Sequence, residues 1–479
     1  MNSFTLAAVG LYFAVMIAIG AYAWRKATRS SAEYQLGGRQ LGPAVTALAA
    51  GASDMSGWLM LGLPGALFVS GLSQSWIAIG LFMGAWANWV IVAPRLREQT
   101  ERYGNALTIP EFLGNRFADR RHVLRLTASL IIVIFFALYS ASGLVAGGKL
   151  FESAFGASYQ TGLWITAGVV VAYVVLGGFL AVSLTDFVQG IIMMLALIVV
   201  PLVAWGALDA DAGPWTLLQR IDPALTSLVA GTTVLGVIST MAWGLGYFGQ
   251  PHIIVRFMAI RSVADIPTAR RIGLGWMALS LVGACAVGLI GKAYLAYHGK
   301  GIADPETVLI ALGGLLLHPL LFGLLLAAIL AAVMSTLSAQ LLVTGASLTE
   351  DFYRLFVRRQ ASEREVVTVG RLSVILVAAV AMLLAQNPQG SVLSLVSNAW
   401  AGFGAAFGPV ILLALTWPRM TLAGALAGMA MGAAVVIGWI IAGWSGWLYE
   451  IVPGFAAAMV AIVGVSLLYP ANASKQPAA

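Results

Sequence analysis

The sequence predicts an all-α polytopic membrane protein, and three observations carry the prediction. Of 479 residues, 60% are hydrophobic. Only 9% are charged, where a soluble domain carries about a quarter. Apolar runs of about 20 residues, the length that crosses a bilayer as a helix, recur from end to end. Lipid offers no partner to an open backbone amide, so such runs imply helices, and the alternation of a membrane β-barrel is absent.

Thirteen spans follow along the chain. The first, 5–25, is too long for a cleaved signal, has no basic residue ahead of it, and is followed at once by Arg25 and Lys26. The second, 43–70, carries the stretch AAGASDMSGWLMLGLPG and is interrupted by glycines and Pro64. Spans 74–94, 124–148, 160–180 and 184–206 follow, and most spans of the chain are Leu, Val, Ile and Ala throughout. The polar stretch before 124 contains Thr108-Ile109-Pro110-Glu111, a capping box with proline in its first turn. It predicts a short cytoplasmic surface helix over EFLGNRF. Residues 207–227, rich in Asp, Pro and Gly, read as an external loop.

The seventh span, 228–253, holds WGLGYFGQPH and is the second interrupted one. Spans 271–296, 316–348, 366–386, 391–416, 420–442 and 453–470 complete the set, followed by a short polar tail from Ala471. Within 420–442, Gly424, Gly428 and Gly432 recur every four residues, which marks a ridge for close helix packing, not a ligand site.

Charge gives the orientation. With loops assigned alternately, 22 of the 26 Lys and Arg fall on one side, including those of 25–39, 95–125, 256–271 and 354–371. The positive-inside rule makes that side cytoplasmic, with the N-terminus outside and the C-terminus inside. Topology thus accounts for the net charge of +7, and no nucleic-acid partner is needed. The lone Cys285 cannot form an intramolecular disulfide, and the four scattered histidines show no zinc or haem spacing. Walker, nucleophile-elbow, HExxH and Rossmann signatures are missing, so neither an enzyme nor a cofactor is expected.

The two interrupted spans set the functional reading. Glycine loosens the backbone, and proline removes a donor and clashes with the preceding turn. Five spans begin at the second and five more at the seventh. A broken helix opening each of two such units is the pattern of an inverted-repeat secondary transporter, with its site where the breaks meet.

Of the 19 acidic residues, Asp54 alone is expected well inside an apolar span, and no lysine or arginine is expected mid-span to neutralise it. A charge there is expensive and faces a polar cavity or a partner. The sequence leaves three readings: a cation beside Asp54, a proton on it, or a carboxylate capping the broken helix. Ser335, Thr336 and Ser338 place hydroxyls on the ninth span, and hydroxyls with backbone carbonyls suit a hard cation. Helix packing is the other use of such hydroxyls. Trp58, Tyr139, Trp243 and Tyr247 could wall a small apolar body, or belong to interfacial belts.

At these residues the chain resembles the solute:sodium symporter family nearly end to end. The resemblance is carried by YQLGGRQLGPAVTALAAGASDMSGWLMLGLPGA (34–66), FESAFGASY (151–159), GGFLAVSLTD (177–186), WGLGYFGQPHI (243–253), LAAVMSTLSAQLL (330–342) and WAGFGAAFGPV (400–410). SDMSGWLMLGLPGA together with WGLGYFGQPHI resembles its proline-carrying members. The resemblance implies a LeuT-type five-plus-five core and sodium-driven uptake of L-proline by alternating access in the bacterial cytoplasmic membrane, the protein working as a monomer.

In that frame one transport domain spans 1–479: an extra N-terminal helix and loop (1–42), a first repeat (43–227), a second (228–416), and two C-terminal helices with a tail (417–479). The resemblance further implies sodium ligands at the backbone of Ala52, Met55 and Ala332 and the hydroxyls of Ser335 and Thr336. Asp54 would support that site, Asp186 would serve sodium passage on the cytoplasmic side, and Arg39 would act at the cytoplasmic end of the second span. Proline would be held by Ser56, Trp58, Tyr139, Trp243, Tyr247 and Pro251. The rival readings are proton coupling, another small amino acid or carboxylate as substrate, and a receptor-like module or channel.

Overall fold

A chain that must close its backbone hydrogen bonds inside lipid can do so helix by helix, and this one does. A computed structural model describes residues 2–26, 30–209, 213–386 and 391–470. The tail from Ala471 with Lys475, Arg29, and part of the 207–227 loop lie outside them. Among the described residues there is no β-strand, only one isolated parallel bridge between Leu41 and Ile260. Ten helices among the described residues are long and apolar enough to cross a membrane.

Both interrupted spans are broken helices. In the first, helix Pro43–Asp54 ends, Met55 leaves helical geometry at φ −79°, ψ 77°, and the chain resumes at Trp58–Gly62 and Leu63–Ser70. The break therefore lies at 55–57, and Pro64 does not make it. Pro64 is absorbed instead by the wide π turn Trp58–Gly62 immediately before it. A second π turn, Asn88–Val92, stands in the same relation to Pro94 in helix Ala93–Arg102. A widened turn spaces the backbone where the proline ring would otherwise strike a carbonyl.

The other break runs through helix Val234–Met241, a tight 3-10 stretch Ala242–Gly249, and helix Pro251–Ala259. Gln250 between them is extended (φ −87°, ψ 103°), and Pro251 opens the new helix where its missing N–H costs nothing. This segment reaches Ala259, six residues beyond the predicted end at 253. The extension corrects the charge reading: Arg256 is not in a basic loop but fully buried inside a helix.

The segments 160–180 and 184–206 fall in one helical run, Tyr159–Gly206, interrupted at Gly178 (φ 54°, ψ −143°). A Cβ there would stand 2.5 Å from the carbonyl oxygen of Tyr34, so the position requires glycine on both counts. The break lets the helix Ser31–Leu36 and its Tyr34 lie against this point. The expected cap forms with its return bond displaced by one residue: Thr108 Oγ1 accepts from Glu111 N (3.1 Å), and Glu111 Oε2 accepts from Leu107 N (2.8 Å) instead of the cap residue's own N–H, starting helix Ile109–Arg116.

The glycine ridge packs as expected, against two neighbours. Gly424 and Gly428 face Ser466 and Ile462 of helix Ile451–Leu468, whereas Gly432 faces the Ala405 carbonyl of helix Val392–Thr416. Helix Pro319–Ala346 is buried throughout from Leu325 to Ala346. It passes directly behind the first break.

Candidate functional site

Asp54 is the last residue of its half-helix and is 1% exposed. Its Oδ2 accepts the hydroxyl proton of Tyr247 from the other broken segment, and its Oδ1 has no partner. The carboxylate therefore does not cap the broken helix; it ties the two breaks together. The freed Asp54 carbonyl accepts from Ser56 N (2.9 Å) and from the indole of Trp58 (3.1 Å), which closes the turn across 55–57.

Behind this turn, Ser335 Oγ donates to the carbonyl of Ala52 at 2.7 Å, with the Ala332 carbonyl at 3.1 Å. Thr336 Oγ1 reaches the same Ala332 carbonyl at 3.4 Å. Four of the five residues expected to ligate sodium are thus joined by hydrogen bonds, and Met55 lies at the start of the adjoining break. Ser338 turns back onto the Ser335 carbonyl (2.9 Å), a helix-internal use of its hydroxyl. All these oxygens are buried among alanine and leucine, where an ion would meet little competing water.

On the aromatic side, the rings of Trp58 and Trp243 lie 6.4 Å apart. Tyr247 meets Trp400 edge-on at 5.3 Å, and Tyr139 meets His252 edge-on at 5.9 Å. Pro251 and Ser56 sit on the two breaks themselves, both buried. The expected proline-holding residues Ser56, Trp58, Trp243, Tyr247 and Pro251 therefore all lie on the paired breaks, with Tyr139 facing the second one through His252.

Two expected residues stand elsewhere. Arg39 is 9% exposed and donates to the carbonyls of Met258 (2.7 Å) and Ala106 (2.7 Å), pinning the start of the first broken segment to the end of the second. Burial, then the nearby Arg97, pushes its pKa down to about 10, which leaves it charged at neutral pH. Asp186 is fully buried, and Arg256 Nη2 donates to its Oδ2 at 3.1 Å. The expectation that no arginine lies mid-span is thereby corrected, although Arg256 pairs with Asp186 and not with Asp54.

Several neighbours of the site escaped the sequence reading. Trp400 Nε1 donates to the Trp243 carbonyl (2.8 Å), and Tyr449 stacks on Trp243 at 5.5 Å from beyond the five-plus-five segments. Tyr449 is fixed at both ends, by Ser239 Oγ on its N–H (3.1 Å) and by its hydroxyl on the Ser397 carbonyl (2.7 Å). The isolated arginine in the apolar run PHIIVRFMAI was the legible signal for Arg256; nothing local marked Tyr449.

Comparisons with known proteins agree with this geometry. The sodium:solute symporter family matches residues 34–432. A relative from Bacillus subtilis (strain 168), named high-affinity proline transporter PutP, is 57% identical over 453 residues, 95% of this chain and 96% of its own. A Staphylococcus aureus (strain JH9) protein named sodium/proline symporter is 50% identical over 476 residues, 96% of this chain and 92% of its own. A solved sodium-coupled sialic acid symporter in a substrate-bound outward-open state superposes with a TM-score of 0.83 over 98% of this chain and 99% of its own, at 18% identity. At that identity the likeness shows the fold, and the fold is the LeuT-type one with two broken helices. The chain belongs to the sodium:solute symporter family.

Proposed function

We propose that this protein takes up L-proline by sodium-coupled symport with alternating access. The observation that carries the reading is the junction at the first break, where Ser335 Oγ joins the Ala52 and Ala332 carbonyls while Ser56 and Trp58, a few residues on, belong to the aromatic side. Sodium entering this junction would turn the Ser335 proton away from the Ala52 carbonyl and draw Ala52, Met55, Ala332, Ser335 and Thr336 oxygens around it. That fixes the turn at 55–57, and with it the positions of Ser56 and Trp58 that would hold proline with Tyr139, Trp243, Tyr247 and Pro251. Bound sodium then raises proline affinity, and proline must raise sodium affinity by the same factor.

The names of the Bacillus and Staphylococcus relatives support proline and sodium as the two ligands. Asp54 supplies negative charge beside the ion and, through Tyr247, ties the two breaks together. Asp186 lies on the cytoplasmic route of the ion and Arg39 at the cytoplasmic end of the second span. The repeats 43–227 and 228–416 move against each other within thirteen crossings, N-terminus outside and C-terminus in the bacterial cytoplasm, in a protein that works as a monomer and carries no cofactor. Uptake of labelled proline into proteoliposomes, driven by a sodium gradient at fixed pH, tests the reading. Accumulation that persists with choline in place of sodium would replace it with proton coupling. Accumulation that unlabelled proline fails to compete would replace the substrate, and downhill flux without accumulation would make the protein a channel.

A further inference from the structure

Asp54 also lines a small cavity, together with Ala47, Gly51, Asn88, Trp89 and Tyr247. About 20 Å³ of it is open to the centre of a water molecule, and one water requires roughly 10–15 Å³ on that measure. Two oxygens are stranded here: Asp54 Oδ1 and Asn88 Oδ1 are buried without a hydrogen-bond partner, on residues each 1% exposed. The Tyr247 hydroxyl cannot serve them, because its proton is given to Asp54 Oδ2. Buried acceptors are rarely left so, and the two here face a shortage of the same thing, a donor.

We propose that this cavity is a one-water site, and that its water joins the carboxylate of Asp54 to the amide of Asn88. A water brings two hydrogens, one for each stranded oxygen, and can accept in turn. A hard cation would gather a larger oxygen shell, and the oxygen-bearing side chains lining the space are Asp54, Asn88 and Tyr247 alone. Asn88 opens the π turn Asn88–Val92 that precedes Pro94, so its place is set by the backbone of the third span and not by the break. The water would thereby hold the second oxygen of Asp54 against a separate helix while Tyr247 holds the first. Asn88 becomes a positioning residue for Asp54, and through it for the sodium junction. This consequence rests on the sodium-coupled reading; the water site itself does not.

The test has two arms. A map of the protein at a resolution that shows ordered waters should carry a peak within hydrogen-bonding distance of both oxygens, lost in Asn88→Leu. In proteoliposomes, Asn88→Leu should raise the half-saturating sodium concentration about tenfold, the scale of one hydrogen bond to a charged group, while proline half-saturation at saturating sodium stays within twofold. Asn88→Ser, which leaves room for water, should recover most of the loss. Both variants are first matched to the parent protein by size-exclusion profile. A map without the peak overturns the water site. Sodium dependence unchanged in Asn88→Leu, or Asn88→Ser as impaired as Asn88→Leu, overturns the positioning role. Parent uptake indifferent to sodium would instead refute the proposed function, with the peak and its loss in Asn88→Leu still deciding the water.

Discussion

Replacing Ser335 by alanine removes the hydroxyl that touches both the Ala52 and the Ala332 carbonyls. Two effects oppose each other. With sodium bound, the variant lacks an oxygen on the ion, worth about 1.5–3 kcal/mol as a contact to a charge. Without sodium, it also lacks the 2.7 Å hydrogen bond to Ala52, a neutral one worth about 0.5–1.5 kcal/mol. The parent has to give up that bond to admit the ion, so the two partly cancel and leave about 1–2 kcal/mol. At about 1.4 kcal/mol per tenfold, the half-saturating sodium concentration should rise roughly five- to thirtyfold. The assay is initial-rate uptake of labelled proline in proteoliposomes across a sodium series, at several proline concentrations. Apparent proline affinity should fall at low sodium and return to the parent value at saturating sodium, as reciprocal coupling demands. A sodium shift below twofold, or a loss of proline affinity that saturating sodium does not repair, would refute the reasoning.

The remaining predictions concern the surroundings of the junction. Arg256→Met strands a fully buried Asp186 and should destabilise the protein by about 3–5 kcal/mol; adding Asp186→Leu should recover most of the loss, read from the unfolding midpoint in detergent. Trp243→Ala removes the ring that meets Trp58, Trp400 and Tyr449. It should raise proline half-saturation tenfold or more while sodium half-saturation at saturating proline moves less, measured in the same uptake assay. Gly178→Ala sets a side chain in left-handed geometry against the Tyr34 carbonyl, and the strain of about 1–3 kcal/mol plus the clash should cut the yield of monodisperse protein. Thr108→Ala removes the cap of helix Ile109–Arg116 together with the hydrogen bond the same hydroxyl gives to the buried Asp351, and should cost about 2–4 kcal/mol, without moving either half-saturation.

What was legible in advance was local or compositional. Hydrophobicity and charge content demanded helices in lipid, because no other backbone arrangement there satisfies itself within a segment. Glycine marked the first break and glycine with Pro251 the second, since each acts on its own turn, whereas Pro64 pointed to a place where the helix continues. The capping box of Thr108 and the ridge of Gly424, Gly428 and Gly432 were equally readable, being three- and four-residue patterns. The hydroxyls of Ser335 and Thr336 were visible as oxygens out of place.

The pairings were not visible, for a physical reason. Which acid meets which base depends on how helices pack, and packing joins residues far apart in the chain. Asp186 and Arg256 are separated by 70 residues, and Asp54 and Tyr247 by 193. Even the end of the second broken segment misled, because hydropathy falls at Arg256 although the helix continues to Ala259 and buries that charge. So the sequence by itself determined a membrane-spanning helical protein with two breaks and an anomalous acid at one of them. Only the tertiary structure decided that Tyr247 answers that acid on one side, that a water-sized space with Asn88 lies on the other, and that Tyr449 backs Trp243 from beyond the repeats. Composition and short-range pattern constrain each segment separately, whereas a site is made by side chains that only packing brings within hydrogen-bond reach.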